Sequence, residues 1–127
     1  MTILVSGGFT AFVEPIAKQL GFERFEANVL EARDGRLTGR TQGPIVDSRR
    51  KRDVLLHAIE SLGLGESETL AVGDGANDIP MIEAAGLGVA FCAKPALTAV
   101  ADAKLDFHGL SALLWAQGIP MKEWIER

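Results

Sequence analysis

A chain of 127 residues is long enough for one domain with a single core, and 47% hydrophobic with 24% charged residues is the balance of a soluble globular protein. The net charge of −4 at pH 7 argues against nonspecific nucleic-acid binding, because phosphate contacts need a basic surface. The lone cysteine, Cys92, cannot form an internal disulfide, so a reducing cytoplasm is the expected setting. No apolar run approaches the roughly 20 residues of a membrane helix, and Met1-Thr2 leads into a strand without a signal-peptide pattern.

In chain order, Ile3-Leu4-Val5 reads as a short buried strand and Ser6-Gly7-Gly8 as the loop leaving it. Residues 10–20 read as a helix with Phe12, Ile16 and Leu20 on one face and Gly21 as the stop; Pro15 removes a backbone donor within it. Residues 25–46 form a strand region whose Asp34-Gly35 pair marks a β-hairpin. Asp47-Ser48 caps a helix that runs to about Leu62, before Gly63. Thr69-Leu70-Ala71-Val72 is a second buried strand, and Ile79 opens a helix closed by Gly86. Leu87-Gly88-Val89-Ala90-Phe91 is the next strand, and Pro95 opens a helix to about Ala101. Leu105-Asp106-Phe107 is a last short strand, and residues 110–116 a last helix. Strands spaced by helices predict an α/β, Rossmann-like three-layer core with a mostly parallel sheet.

Three places carry candidate chemistry. Ser6-Gly7-Gly8 offers a hydroxyl and sterically open backbone amides at a strand end, suited to an anion, although Gly-Gly loops are common without a ligand. Lys51 lies in Arg49-Arg50-Lys51-Arg52, but at about 100° per residue it alone falls near the centre of the face defined by Val54, Leu55, Ala58, Ile59 and Leu62. There it meets an anion as a point charge, or snorkels with no ligand. His57 points off that face. The third place is Gly73-Asp74-Gly75-Ala76-Asn77-Asp78, two carboxylates and a carboxamide in five positions. An acidic turn with Asp78 as helix cap needs only one such residue. Mg²⁺ takes one or two carboxylates with waters and phosphate, which fits Asp74 as direct ligand and Asp78 as support for the metal shell or for Lys51, with Asn77 donating to a phosphate oxygen. Cys92 reads as core, and His108, Trp115 and Trp124 as packing or surface residues.

The order Ser6-Gly7-Gly8-Phe9-Thr10, Lys51, then Gly73-Asp74-Gly75-Ala76-Asn77-Asp78-Ile79-Pro80-Met81 resembles the haloacid dehalogenase (HAD) superfamily of phosphatases. Asp34-Gly35-Arg36-Leu37-Thr38-Gly39, Ala84-Ala85-Gly86-Leu87-Gly88-Val89-Ala90 and Ala93-Lys94-Pro95 narrow the resemblance to its phosphoserine phosphatase subfamily, over about residues 2–116. The resemblance implies a Mg²⁺-dependent phosphate monoester hydrolase of L-serine biosynthesis acting by covalent catalysis. It also implies roles: Ser6 and the Gly7 amide bind the transferring phosphoryl group, and Lys51 neutralises it. Asp74 and Asp78 serve the metal, and Asn77 contacts phosphate or substrate.

The family's leading Asp-x-Asp motif, source of the nucleophile and the general acid/base, has no match here, and neither does the helical cap that follows it. The expectation is a single partial domain, the C-terminal part of such an enzyme, inactive by itself or a catalytically dead phosphate-, Mg²⁺- or partner-binding module. Without the family's central first strand, the strands ending at Ser6 and near Asp74 are expected to expose edges. Those edges would be closed directly, by a complementing chain or by homo-oligomerisation.

Overall fold

The computed structural model describes residues 1–124. It divides into two compact units, Met1–Leu64 and a second that begins at Gly65.

The first unit holds β1 (Ile3–Phe9), α1 (Thr10–Leu20), β2 (Arg24–Arg33), β3 (Arg36–Gln42) and α2 (Ser48–Leu62). Its sheet has the order β1-β2-β3, with β1 and β2 parallel and β2 and β3 an antiparallel hairpin. The predicted turn is there: Asp34 and Gly35 have φ of 50° and 74°, the paired positive values a tight hairpin of the observed twist requires. Residues 6–8 differ from expectation, since they continue β1 instead of leaving it as a loop. The register shows how. Val5 pairs with Glu26 and Phe9 with Asn28, so β1 advances two residues further than β2 between those pairs. Ser6, Gly7 and Gly8 are therefore a bulge, extended in backbone yet out of ladder register.

Helix α1 stops at Gly21, whose φ of 76° places it in the left-handed region as a helix terminus favours. It runs through Pro15; Pro15 and Ala11, whose carbonyl loses its usual partner, are both exposed, where water can substitute. Its buried residues are Val13 and Ala17, whereas Phe12, Ile16 and Leu20 are 69%, 49% and 63% exposed. The helix thus docks through its small-residue stripe, about 100° round from the bulky one, and leaves an apolar face in solvent.

Helix α2 begins as predicted. Asp47 is its N-cap, accepting from the Arg50 N–H at 2.8 Å, and Gly63 ends it at φ 63°. Replacing Asp47 with alanine is expected to cost about 1 kcal/mol, read as a lower denaturant midpoint; no change would mean the cap is redundant. Lys51 and Ala58 are the buried residues of α2 and His57 is exposed, so the helical face read from the sequence is the one that faces inward. Arg50 is tied to the sheet, its Nε donating to the Glu26 carboxylate of β2. That hydrogen bond, then the Glu26 charge, raises the guanidinium pKa above its ordinary value.

The second unit holds β4 (Leu70–Gly73), α3 (Ile79–Ala84), β5 (Leu87–Phe91), α4 (Pro95–Thr98), β6 (Ala103–Leu105) and α5 (Ala112–Ala116). Its three strands are parallel in the order β4-β5-β6. The core is Ala71, Ile82, Ala90 and Leu97, with Ile79, Met81, Ala85, Ala93 and Ala101 packed against it. Two glycines permit close approach. A Cβ on Gly88 would lie 2.6 Å from Ile82 O, and one on Gly86 2.2 Å from Glu66 O. Gly86 is therefore needed for space; the C-cap of α3 is Ala85, in extended conformation.

Several boundaries shift. Helix α4 ends at Thr98, and β6 pairs Ala103 and Leu105 with Val89 and Phe91, leaving Phe107 93% exposed. Asp102 sets that register, accepting the Gly88 N–H at 2.7 Å while its own N–H donates to Gly88 O at 2.9 Å. Cys92 is exposed rather than core, because the chain turns there at φ 44° with its N–H donating to Leu105 O. Trp115 and Trp124 meet edge to face at 5.5 Å. In each sheet one edge strand carries or leads directly into candidate residues, β1 in the first and β4 in the second. Among the described residues no helix is long and apolar enough to cross a membrane. The α/β class with mostly parallel pairing is as expected.

Candidate functional site

The first unit carries Ser6, Gly7 and Lys51. Ser6 Oγ accepts the Gly8 N–H at 3.0 Å, which fixes the side chain against its own bulge and leaves the hydroxyl proton available to donate outward. Helix α2 packs against β1. Lys51, one turn into that helix, is 7% exposed, and its N–H donates to Asp47 O at 3.1 Å. A lysine this buried needs a compensating partner, and Lys51 is not without one in the structure.

One residue here escaped the reading of the sequence. Asn28 of β2 is 7% exposed; its Nδ2 donates to Gly7 O at 2.8 Å and its Oδ1 accepts the Val46 N–H at 2.8 Å. The available signal was an amide in mid-strand between Ala27 and Val29, a position such residues avoid without a specific partner.

The second unit carries Asp74, Asn77 and Asp78 at the end of β4. The backbone turns through a short 3₁₀ segment, Ala76–Asp78, into α3. Asp78 is 4% exposed, and its Oδ2 accepts from Asp74 N at 3.1 Å and from Gly75 N at 3.3 Å. The carboxylate thus folds back over the loop instead of capping α3, where it makes no cap hydrogen bond. Gly73 makes room for it, since a Cβ there would lie 2.5 Å from Asp78 Cβ. Asp74 and Asn77 are exposed at the mouth of this turn, and Asp74 O accepts the Lys94 N–H at 2.9 Å.

The donor chemistry fits a hard divalent cation that keeps most of its waters. Asp74 presents an exposed carboxylate, and Asp78 adds a second carboxylate four residues on in the same turn. A denser cage is not formed, for no cluster of three His, Cys, Asp or Glu suited to a metal occurs among the described residues.

Residues 1–83 match the haloacid dehalogenase-like hydrolase family. The chain belongs to that family. Within this HAD family it is homologous to phosphoserine phosphatases. It is 48% identical over 120 residues to the phosphoserine phosphatase of Mycobacterium tuberculosis, covering 94% of this chain and 29% of that protein. The crystal structure of the probable phosphoserine phosphatase of Vibrio cholerae, unliganded, superposes with a TM-score of 0.81 at 41% identity, covering 91% of this chain and 38% of that one. A substrate-bound phosphoserine phosphatase complex gives 0.82 at 40% identity, covering 90% and 54%. The chain spans between 29% and 51% of the length of such curated relatives.

Proposed function

We propose that this chain supplies the phosphate- and metal-binding residues of a Mg²⁺-dependent phosphoserine-phosphatase-type hydrolase. The observation that carries the reading is Lys51, a cation 7% exposed on a helix packed against the strand whose bulge presents Ser6 and Gly7. The similarity to phosphoserine phosphatases supports it. Ser6 Oγ–H and the Gly7 N–H would hydrogen-bond the non-bridging oxygens of a phosphate monoester, and Lys51 would offset their charge. Asn77 would contact phosphate or the alcohol portion of the substrate. Asp74 and Asp78 would hold Mg²⁺, which supplies further charge stabilisation when bound. Hydrolysis also needs a carboxylate to take the phosphoryl group and an acid to protonate the leaving alkoxide. No Asp-x-Asp sequence occurs in the 127 residues, so both would come from another polypeptide segment. A place in L-serine formation in the cytoplasm follows from the same reading.

The test is phosphate release from phosphoserine with Mg²⁺, by the chain alone and mixed with a strand peptide bearing Asp-x-Asp. The expected result is negligible turnover alone and measurable turnover in the mixture. Robust turnover by the chain alone, abolished by Asp74→Asn, would show that it needs no outside nucleophile.

A second reading, a catalytically inactive binding or interaction module, is favoured by the exposed Phe12, Ile16 and Leu20 of α1 and by the edge positions of β1 and β4. Under it, inorganic phosphate binds but the mixture never turns over. Sedimentation then shows self-association that Ile16→Glu abolishes.

A further inference from the structure

We infer that Asn28 is a positioning residue for the anion site of the first unit, an assignment that rests on the phosphate-binding reading above. Three segments distant in sequence meet at its carboxamide: the bulge at Gly7, the middle of β2, and the residue before the cap of α2. The bulge has lost ladder register with β2, so ordinary strand pairing does not fix where Gly7 stands. Asn28 Nδ2 replaces that constraint by holding Gly7 O at 2.8 Å.

The other end of the same amide sets the start of α2. Val46 is 5% exposed, and its N–H donates to Asn28 Oδ1 at 2.8 Å. The next residue, Asp47, caps the helix and accepts the Lys51 N–H through its carbonyl. Gly7 lies close to this segment as well, for a Cβ on it would be 3.5 Å from Val46 O. A single rigid planar group thus fixes the Gly7 carbonyl, and with it the bulge, relative to the backbone from which Lys51 projects. Only an amide does both tasks at this reach: aspartate accepts but does not donate when ionised, leucine does neither, and glutamine is one methylene longer. The bond to Val46 is buried and the bond to Gly7 O part-buried, and Asn28 itself is 7% exposed, so a lost partner leaves a shielded polar atom of the carboxamide unsatisfied.

The experiment titrates Asn28→Asp, Asn28→Ala and the unsubstituted chain with inorganic phosphate, followed by amide NMR, alongside thermal unfolding. Asn28→Asp retains the acceptor for Val46 N–H and loses the donor to Gly7 O. It should weaken phosphate binding by about tenfold or more at neutral pH. Relative to the unsubstituted chain, binding should recover as pH falls and the carboxyl gains the proton that replaces Nδ2–H. Unchanged affinity in both variants, or an Asn28→Asp loss with no acid recovery, would overturn the assignment while leaving phosphate binding by the parent chain intact.

If the parent chain fails to bind phosphate, the proposed function falls, and the ligand-free spectra still judge the geometry. Asn28→Ala should then shift the Gly8 and Lys51 amides together. Shifts confined to the immediate neighbours of residues 28 and 46 would overturn the positioning role.

Discussion

Replacing Gly73 with alanine is expected to abolish Mg²⁺ binding and to lower the stability of the second unit by about 2–3 kcal/mol. The added Cβ would lie 2.5 Å from Asp78 Cβ and 2.7 Å from both Cγ and Oδ2, well inside van der Waals contact. Asp78 has little freedom to yield. Its side chain is short, it is 4% exposed, and its Oδ2 is held by the Asp74 and Gly75 amides. Relief requires breaking those two bonds, which also releases the backbone that aims Asp74. Gly86→Ala separates stability from binding. Its Cβ would lie 2.2 Å from Glu66 O and 2.6 Å from Ser67 Cα, backbone atoms that have no part in the Asp78 arrangement. It should destabilise at least as much yet keep the Mg²⁺ titration of whatever fraction remains folded. Denaturant midpoints and calorimetric Mg²⁺ titrations of both variants decide the matter. Mg²⁺ affinity within about twofold of the parent in Gly73→Ala would remove this loop from the metal site.

Local signals were the legible ones. The Asp34-Gly35 turn, the Asp47 cap and the inward face of α2 all follow from interactions within about one helical turn or one hairpin, and the structure has each of them. The family was legible for a related reason: its motif strings are contiguous, and residues 1–83 match. Non-local choices were hidden. An amphipathic stripe does not say whether its bulky or its small residues dock, and α1 buries Val13 and Ala17. Gly7-Gly8 reads as a loop because glycine disfavours regular strand, yet a bulge uses the same freedom while the strand continues. Asn28 stood out only as an amide in mid-strand, and its partners were hidden because both lie about 20 residues away in opposite directions along the chain. Cys92 and Gly86 fail in the same way, one placed by a turn and the other by the approach of residues 66 and 67.

Lys51→Met should raise the dissociation constant for inorganic phosphate by about 100-fold. Methionine retains a long unbranched apolar stem, so the packing of the lysine methylenes on the inner face of α2 is largely kept and the charge is what disappears. A hydrogen bond from a charged donor to a phosphate oxygen is among the stronger polar contacts, and at 7% exposure it is little weakened by water. Lys51→Arg keeps the charge but replaces a compact ammonium with a planar fork, so it should recover only part of the affinity. The salt response gives an independent reading: the parent chain should lose phosphate affinity as ionic strength rises, and Lys51→Met should respond less. If Lys51→Met binds phosphate as the parent does, Lys51 serves only the internal contacts of α2, and the anion role passes to the Ser6 hydroxyl and the amides of the β1 bulge alone.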